Sequence, residues 1–418
     1  MFFRRLVCVE LIFSLLCLPL SVLADEVPAA EVNSNIVTEY NSADLKEPIV
    51  FDATETVAGV GEQLEIPAKS CILMEVKTGE ILYENDSHLK LPPASITKVM
   101  ALLLVMEAID SGQLSLDTVL TASPYACSMG GSQIWLEPNE QMSVNDLLKA
   151  AVIGSANDAT VMLGEALAGS EKGFVAMMNE RAGQLGMTDT TFINSTGLDA
   201  DGHVTSAHDI AVMSRELIKH DLIKNYSTVW MDSLRNGESE LVNTNKLVRF
   251  YEGANGMKTG STSIAKYCLS ATAKRNDVQL IAVVLQAPTS KDRFGDASTM
   301  LNYGFNTYEN VKVCEKGKVH SYADVKKGTQ NSVGLMFEND FSSLEKKGNA
   351  QNIHYEIKNI EEFVTAPVKK GEKLGTAEIY NGEEKIGEVS LVARDSIEKV
   401  TLWYTFTKLY NTFANFII

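Results

Sequence analysis

The stretch from Pro92 to Ile109, PPASITKVMALLLVMEAI, decides the fold. Two prolines stop the extended chain ahead of it, and the run opened by Ser95 is dominated by Ala, Leu and Met until Ser111-Gly112 ends it. A helix that is apolar on most sides has no solvent face, so it belongs in the middle of a domain core. This one carries Ser95 and Lys98 at its start. Positions three apart share a helix face, which puts the Lys98 amine within reach of the Ser95 hydroxyl. A serine hydroxyl is a poor nucleophile until a base removes its proton, and a desolvated lysine can be that base. The helix start adds free backbone N–H groups where negative charge would develop. Spacing alone is weak evidence: Ser87/Lys90, Ser263/Lys266, Ser343/Lys346 and Ser396/Lys399 repeat it. What sets Ser95 apart is the proline-marked start of a buried helix.

Upstream, Ala68 to Val76 alternates imperfectly, Lys77-Thr78-Gly79-Glu80 makes a turn, and Ile81 to Tyr83 follows, which reads as a hairpin at a sheet edge. Downstream, composition stays helical from Leu114 to Leu217, with helices expected over Val144–Gly154, Ala156–Ala168, Phe174–Leu185 and Ala207–Ile218. Ser206 is the expected N-cap of the last, with Asp209 completing a capping box. Strand character returns at Gly256–Gly260, Tyr267–Lys274 and Val278–Leu285, then a helix covers about Arg293 to Asn310. Strands, then helices, then strands predict an α+β domain: one mostly antiparallel sheet with helices packed on it.

The flanks differ in character. Val311 to Val392 is rich in Lys, Glu, Gly and Val, with short extended runs separated by Lys-Lys-Gly and Asn-Gly turns, and predicts a small β-rich domain. At the C-terminus Leu402, Phe406, Leu409, Phe413 and Phe416 recur at helical spacing, with polar Thr405, Lys408, Asn411, Thr412 and Asn415 largely opposite. That pattern predicts an interfacial amphipathic helix, since a terminal element ending in Phe-Ile-Ile has little chain left to cover it, with a buried structural helix as the alternative. At the N-terminus Arg4-Arg5, an apolar run from Leu6 to Leu20 and Val22-Leu23-Ala24 read as a cleaved secretory signal, with an uncleaved signal anchor as the alternative. Leu15 and Leu16 disfavour lipidation at Cys17. Asp25 to Glu62 holds nine acidic residues and one lysine and reads as a flexible leader. The expected organisation is therefore 1–24 signal peptide, 25–62 acidic leader, 63–310 catalytic domain, 311–395 β-rich domain and 396–418 membrane-anchor helix.

With 54 acidic against 37 basic side chains the formal net charge is −17, and no basic run compensates locally, so nucleic acid is excluded as a partner. Cys71, Cys127, Cys268 and Cys314 lie far apart without CxxC spacing, and His203 and His208 are remote from any cysteine pair. That pattern is neither a disulfide framework nor a zinc site, and Asp199, Asp201 and Asp209 form no recognisable metal loop, so no metal is expected. Cys71 and Cys268 are expected as buried thiols.

Two further motifs complement the first. In Ser155-Ala156-Asn157, between helical stretches, a hydroxyl and an amide can pass a proton and hold a carbonyl, though alone it reads more readily as a helix cap. In Lys258-Thr259-Gly260 the lysine and threonine can bind a carboxylate, and glycine lets a ligand approach the backbone. The identical tripeptide Lys77-Thr78-Gly79 sits at the hairpin tip and reads as a turn.

Taken together, Ser-x-x-Lys, Ser-x-Asn and Lys-Thr-Gly are the signature set of penicillin-binding proteins and class A β-lactamases. From Gln63 onward the chain resembles the low-molecular-mass serine-type D-alanyl-D-alanine carboxypeptidases of the penicillin-binding-protein-5 kind, through PPASITKVM at Pro92, GGSQIWLEPNE at Gly130, FINSTGLDADGHVTSAHDIA at Phe192, GANGMKTGST at Gly253 and APTSKDRFGDASTMLNYGF at Ala287. The resemblance implies a β-lactamase/transpeptidase-like α+β catalytic domain, a mostly antiparallel sheet with helices plus a helical subdomain, and an acyl-enzyme formed on Ser95, with Lys98 accepting its proton. It implies an oxyanion held between the N–H groups of Ser95 and Ser261, a substrate carboxylate on Lys258 and Thr259 beside Gly260, Ser155 protonating the leaving D-alanine, and Asn157 holding the peptide. The implied partners are peptidoglycan stem peptides ending in D-Ala-D-Ala, β-lactams as covalent inhibitors, and the outer face of the cytoplasmic membrane through the terminal helix; no cofactor is implied. Asn255, where an Asp is frequent, and Lys266, where a glycine is common, are departures that bear on substrate preference. His203 and His208 are expected to be structural, since Lys98 already supplies a base. Trp135 and Met129 are candidates for the cleft mouth or for ordinary packing. A β-lactamase reading is disfavoured because Ala156 replaces the Asp inside Ser-x-Asn and no Glu-x-x-x-Asn follows before Lys258. A non-catalytic wall-binding scaffold would need a broken motif, and none is broken.

Overall fold

The computed structural model describes residues 64–358 and 363–417, with side chains to 413. The expected signal peptide and acidic leader, with Cys8 and Cys17, lie outside the described residues.

A five-stranded sheet organises the first domain: β1 (Ser70–Glu75), β2 (Ile81–Asn85), β3 (Ala254–Thr262), β4 (Lys266–Arg275) and β5 (Val278–Ala287). All pairings are antiparallel and the order is β2-β1-β5-β4-β3, so the N-terminal hairpin does form one edge and the Lys258 strand the other. Adjacent residues of a strand point to opposite faces. Ile72, Met74, Ile281 and Val283 accordingly enter a core shared with α1 (Lys98–Asp110), α2 (Val144–Val152), α3 (Asn157–Ala168), α4 (Glu171–Gln184) and α5 (Ala207–Leu217). Cys71, Leu73, Leu280 and Val284 enter a second core closed by α6 (Ser290–Thr307). Burial on both faces explains why β5 reads as a nearly continuous apolar run and why β1 alternates only imperfectly. Cys71, Cys127, Cys268 and Cys314 are free thiols, and all but Cys127 are buried.

Of the thirteen residues of α1, ten are buried, Lys98 among them, as expected for an apolar helix threaded through a core. Its first turn is distinct: Ala94–Thr97 forms a 3-10 turn, and Ala94 has φ +49, a conformation rare for non-glycine residues. Ser206 Oγ does accept from the Asp209 N–H at 3.2 Å, but the Asp209 carboxylate turns away to accept from the Asp189 N–H and the Thr190 hydroxyl, so the capping box is only half formed. Two short antiparallel pairs are added, Val119–Thr121 with Gln141–Ser143 inside the helical region and Met231–Leu234 with Ser239–Val242 after it. Their strands of three or four residues are too short to show a period.

The β-rich domain holds a six-stranded sheet in the order Ile353–Lys358, Lys373–Asn381, Glu384–Ala393, Ser332–Phe337, Val319–Lys326, Val364–Thr365, plus the pair Tyr308–Cys314 with Phe341–Lys346. It meets the first domain at the Lys77 turn, which is more than a bare surface loop. Lys77 Nζ donates to Ser342 Oγ, Arg215 donates to the Val76 and Lys77 carbonyls at 2.6 and 2.9 Å, and Glu75 accepts from the N–H groups of Lys77 and Thr78. The expected anchor segment 396–418 divides in two. Ile397 is buried in the β-rich core and its N–H donates to Val368 O, while Val400 N–H donates to Lys327 O. The helix proper, α7, spans Leu402–Ile417, with Leu402, Trp403, Phe406, Leu409, Tyr410 and Phe413 exposed. Among the described residues no helix is long and apolar enough to cross a membrane.

Candidate active site

Lys98 is the centre around which the site assembles. Its side chain is fully buried, and Nζ lies 3.0 Å from Ser95 Oγ, 2.5 Å from Asn157 Oδ1 and 2.8 Å from the Thr196 carbonyl. The Asn157 amide is fixed in orientation, because its Nδ2 donates one N–H to Gly130 O at 2.6 Å while its backbone N–H donates to Ser132 O. The amine is held well below the ordinary lysine range, first by burial and then by the charge of Lys258, against a smaller opposing pull from Asp158. In the neutral state its two N–H bonds satisfy Asn157 Oδ1 and Thr196 O, neither of which can donate in return. The lone pair is then left for the Ser95 O–H. Once protonated, three N–H bonds meet three acceptors. A proton can therefore pass from Ser95 to Lys98 with every buried group still satisfied.

The remaining motif residues surround this pair unequally. Gly260 packs against the Ser95 turn: a Cβ there would lie 2.7 Å from Pro93 O and 3.0 Å from Ser95 N. Lys258, 1% exposed, donates to Thr259 O, and Thr259 Oγ1 donates to Thr244 Oγ1 at 2.6 Å. Ser261 follows on the same strand, half-buried opposite Tyr267. Ser155 is buried just ahead of α3 at φ +61, a second strained non-glycine backbone at the site. Asn255 lies at the start of β3, accepting from Thr272 Oγ1 through its side chain. Lys266 occupies a φ of +57, the reason a glycine suits that position.

Spacing did not single out Thr196 or Gly197, which fall inside the quoted Phe192 stretch, nor Asp158. The Asp158 carboxylate is buried and accepts from the N–H groups of Ile134 and Leu136, while Arg235 donates to the Ile134 carbonyl and pairs with Glu140. Together they hold Trp135 at φ +59 with the residue 75% exposed, so Trp135 is not a packing residue; Met129 packs against the core. His208 stacks on His88, whereas His203 is buried against the back of the Ser95 turn. Among the described residues no cluster of three or more His, Cys, Asp or Glu side chains could hold a metal ion.

Comparison with known proteins agrees in both domains. A family model described as D-alanyl-D-alanine carboxypeptidase matches residues 56–289, and one described as penicillin-binding protein 5, C-terminal domain, matches 308–399. D-alanyl-D-alanine carboxypeptidase DacF of Bacillus subtilis (strain 168) is 41% identical over 341 residues, 81% of this chain and 87% of its own. The crystal structure of penicillin-binding protein 5 from Haemophilus influenzae has a TM-score of 0.65 at 30% identity, covering 81% of this chain and 99% of that one. Penicillin-binding protein D2 from Listeria monocytogenes, solved in an ampicillin-bound form, has a TM-score of 0.54 at 34% identity over 58% of this chain and 100% of its own. With both domains matched in chain order, this chain belongs to the penicillin-binding-protein-5-like family of serine-type D-alanyl-D-alanine carboxypeptidases.

Proposed function

We propose that the enzyme removes the terminal D-alanine from peptidoglycan stem pentapeptides through an acyl-enzyme on Ser95. The observation that carries this reading is the Lys98 amine, buried, driven toward neutrality and 3.0 Å from the hydroxyl it would deprotonate. Ser95 Oγ attacks the carbonyl between the two D-alanines and Lys98 takes its proton. The oxyanion forms between the N–H groups of Ser95 and Ser261. Lys258 and Thr259 anchor the terminal carboxylate, Ser155 relays the proton held on Lys98 to the nitrogen of the departing D-alanine as the C–N bond breaks, and Asn157 holds the peptide backbone. Water then hydrolyses the ester. A β-lactam acylates the same serine and leaves slowly. The enzyme works after export, on the outer face of the cytoplasmic membrane, held peripherally by α7.

Incubation with a pentapeptide stem and mass detection of released D-alanine tests the activity, and a fluorescent penicillin tests the nucleophile. Ser95→Ala should abolish both signals. Label recovered on Ser87, Ser155 or Ser263 instead would refute the assignment. The base must be neutral, so the acylation rate should fall as pH is lowered through the depressed Lys98 pKa and hold as pH rises. A rate independent of pH would remove Lys98 from that role.

A further inference from the structure

The loop from Phe192 to Thr205 touches the Ser95 turn and the segments flanking it at Thr196, Gly197, His203 and Thr205. Leu91 and Thr205 exchange backbone hydrogen bonds at 2.8 and 2.9 Å, Thr196 O accepts from Lys98, and a Cβ on Gly197 would lie 1.8 Å from Ala94 O. In the middle of this contact His203, 3% exposed, packs edge-on against Phe192. Its Nδ1 accepts the Ile193 N–H at 3.0 Å, so that nitrogen carries no proton. The hydrogen must sit on Nε2, which then donates to Thr97 Oγ1 at 2.8 Å. Thr97, with its acceptor side occupied, directs its own hydrogen to Ala94 O at 2.8 Å. The direction of the whole relay follows from one backbone N–H. Burial pushes the imidazole down to about 4, which keeps it neutral and the relay in this one direction at ordinary pH.

Ala94 O belongs to the peptide plane whose other end is the Ser95 N–H, and a peptide is rigid, so holding the carbonyl aims the N–H. That plane follows an alanine at φ +49, a conformation that must be held by its surroundings. We propose that His203, acting through Thr97, is a positioning residue that fixes the Ala94–Ser95 peptide plane and so aims the Ser95 N–H at the developing oxyanion. This rests on the acyl-transfer reading above, in which that N–H is an oxyanion donor. Charge develops only in the transition state, so loss of the relay should slow acylation without weakening ground-state binding.

Stopped-flow acylation by a fluorescent penicillin separates the non-covalent binding constant from the acylation rate constant. Thr97→Val, near-isosteric but without the hydroxyl, should lower the rate constant by roughly 10- to 100-fold and leave binding within about threefold. Thr97→Ser should recover most of the loss. His203→Gln keeps a donor at the Nε2 position and His203→Asn keeps only an acceptor at Nδ1, so Gln should acylate faster than Asn. Thr97→Val acylating at the wild-type rate, or Thr97→Ser as slow as Val, overturns the proposal. Should Thr97→Val fail to fold, the Gln and Asn variants decide, and equal rates overturn it. A wild-type enzyme that takes up no penicillin fails the activity reading itself, and the inference with it.

Discussion

At the residue scale, the site is shaped by where side chains are missing as much as by where they are present. Gly197 has φ +86, and the Cβ of any other residue would overlap the Ala94 carbonyl at 1.8 Å and approach Ser95 N at 2.9 Å. Neither atom is the far end of a flexible side chain, so the turn itself would have to move. Gly197→Ala should therefore destabilise the fold by about 2 kcal/mol or more, combining left-handed strain with overpacking, and should abolish acylation in whatever folded fraction remains. Thermal melts with penicillin labelling check this, and a stable, labelling-competent variant would show that the turn yields. By contrast Gly186, also at positive φ, has nothing within 4 Å of its Cβ position, so alanine there meets backbone strain alone.

At the element scale, two identical tripeptides occupy the two ends of the first domain's sheet. Lys258-Thr259-Gly260 lies on edge strand β3 against the Ser95 turn, and Lys77-Thr78-Gly79 lies at the tip of the opposite hairpin against the β-rich domain. Lys258→Ala removes a cation that the proposed chemistry uses for the substrate carboxylate, and should reduce kcat/KM on a D-Ala-D-Ala peptide by about 2 kcal/mol or more of transition-state stabilisation. Lys77→Ala removes one exposed hydrogen bond to Ser342; it should leave turnover unchanged and cost about 0.5 kcal/mol of stability. Side-by-side kinetics on one peptide discriminate the two, and equal losses would contradict this assignment of roles.

At the scale of the whole molecule, α7 leaves the β-rich domain with its large apolar side chains uncovered. Full burial of such side chains is worth about 1.5–3 kcal/mol each, so six of them can hold the protein on a lipid surface with little help from charge. Because Ile397 and Val400 belong to the β-rich domain, a truncation that spares the fold must end after Thr401, not near Arg394. Such a protein should remain in the supernatant when sedimented with liposomes, while retaining hydrolysis of small peptides. Charged replacements at Phe406 and Phe413 should behave the same way. Equal partitioning of full-length and truncated protein would eliminate the anchor, and loss of hydrolysis on truncation would mean that α7 supports the catalytic domain.

Local sequence dictates whatever depends on neighbours within a turn or two. The apolar run of α1, the Ser206 cap and the strands at Gly256, Tyr267 and Val278 follow from periodicity, capping and turn chemistry, and the antiparallel sheet with its helical cover follows from their order. It also placed Ser95 and Lys98 on one face, because three residues along a helix is a local distance. The partners of the Lys98 amine come from long-range packing: Asn157 and Thr196 stand 59 and 98 residues away, and no local rule selects them. The same holds for His203, 106 residues from Thr97, which as a lone histidine in a loop reads as structural until its buried bond to the Ser95 turn is seen. It holds too for the two Lys-Thr-Gly copies, which are indistinguishable as text. Motifs state which groups can do chemistry, but packing decides which of them lose water, meet one another and shift their proton affinity, and those are properties of the folded interior.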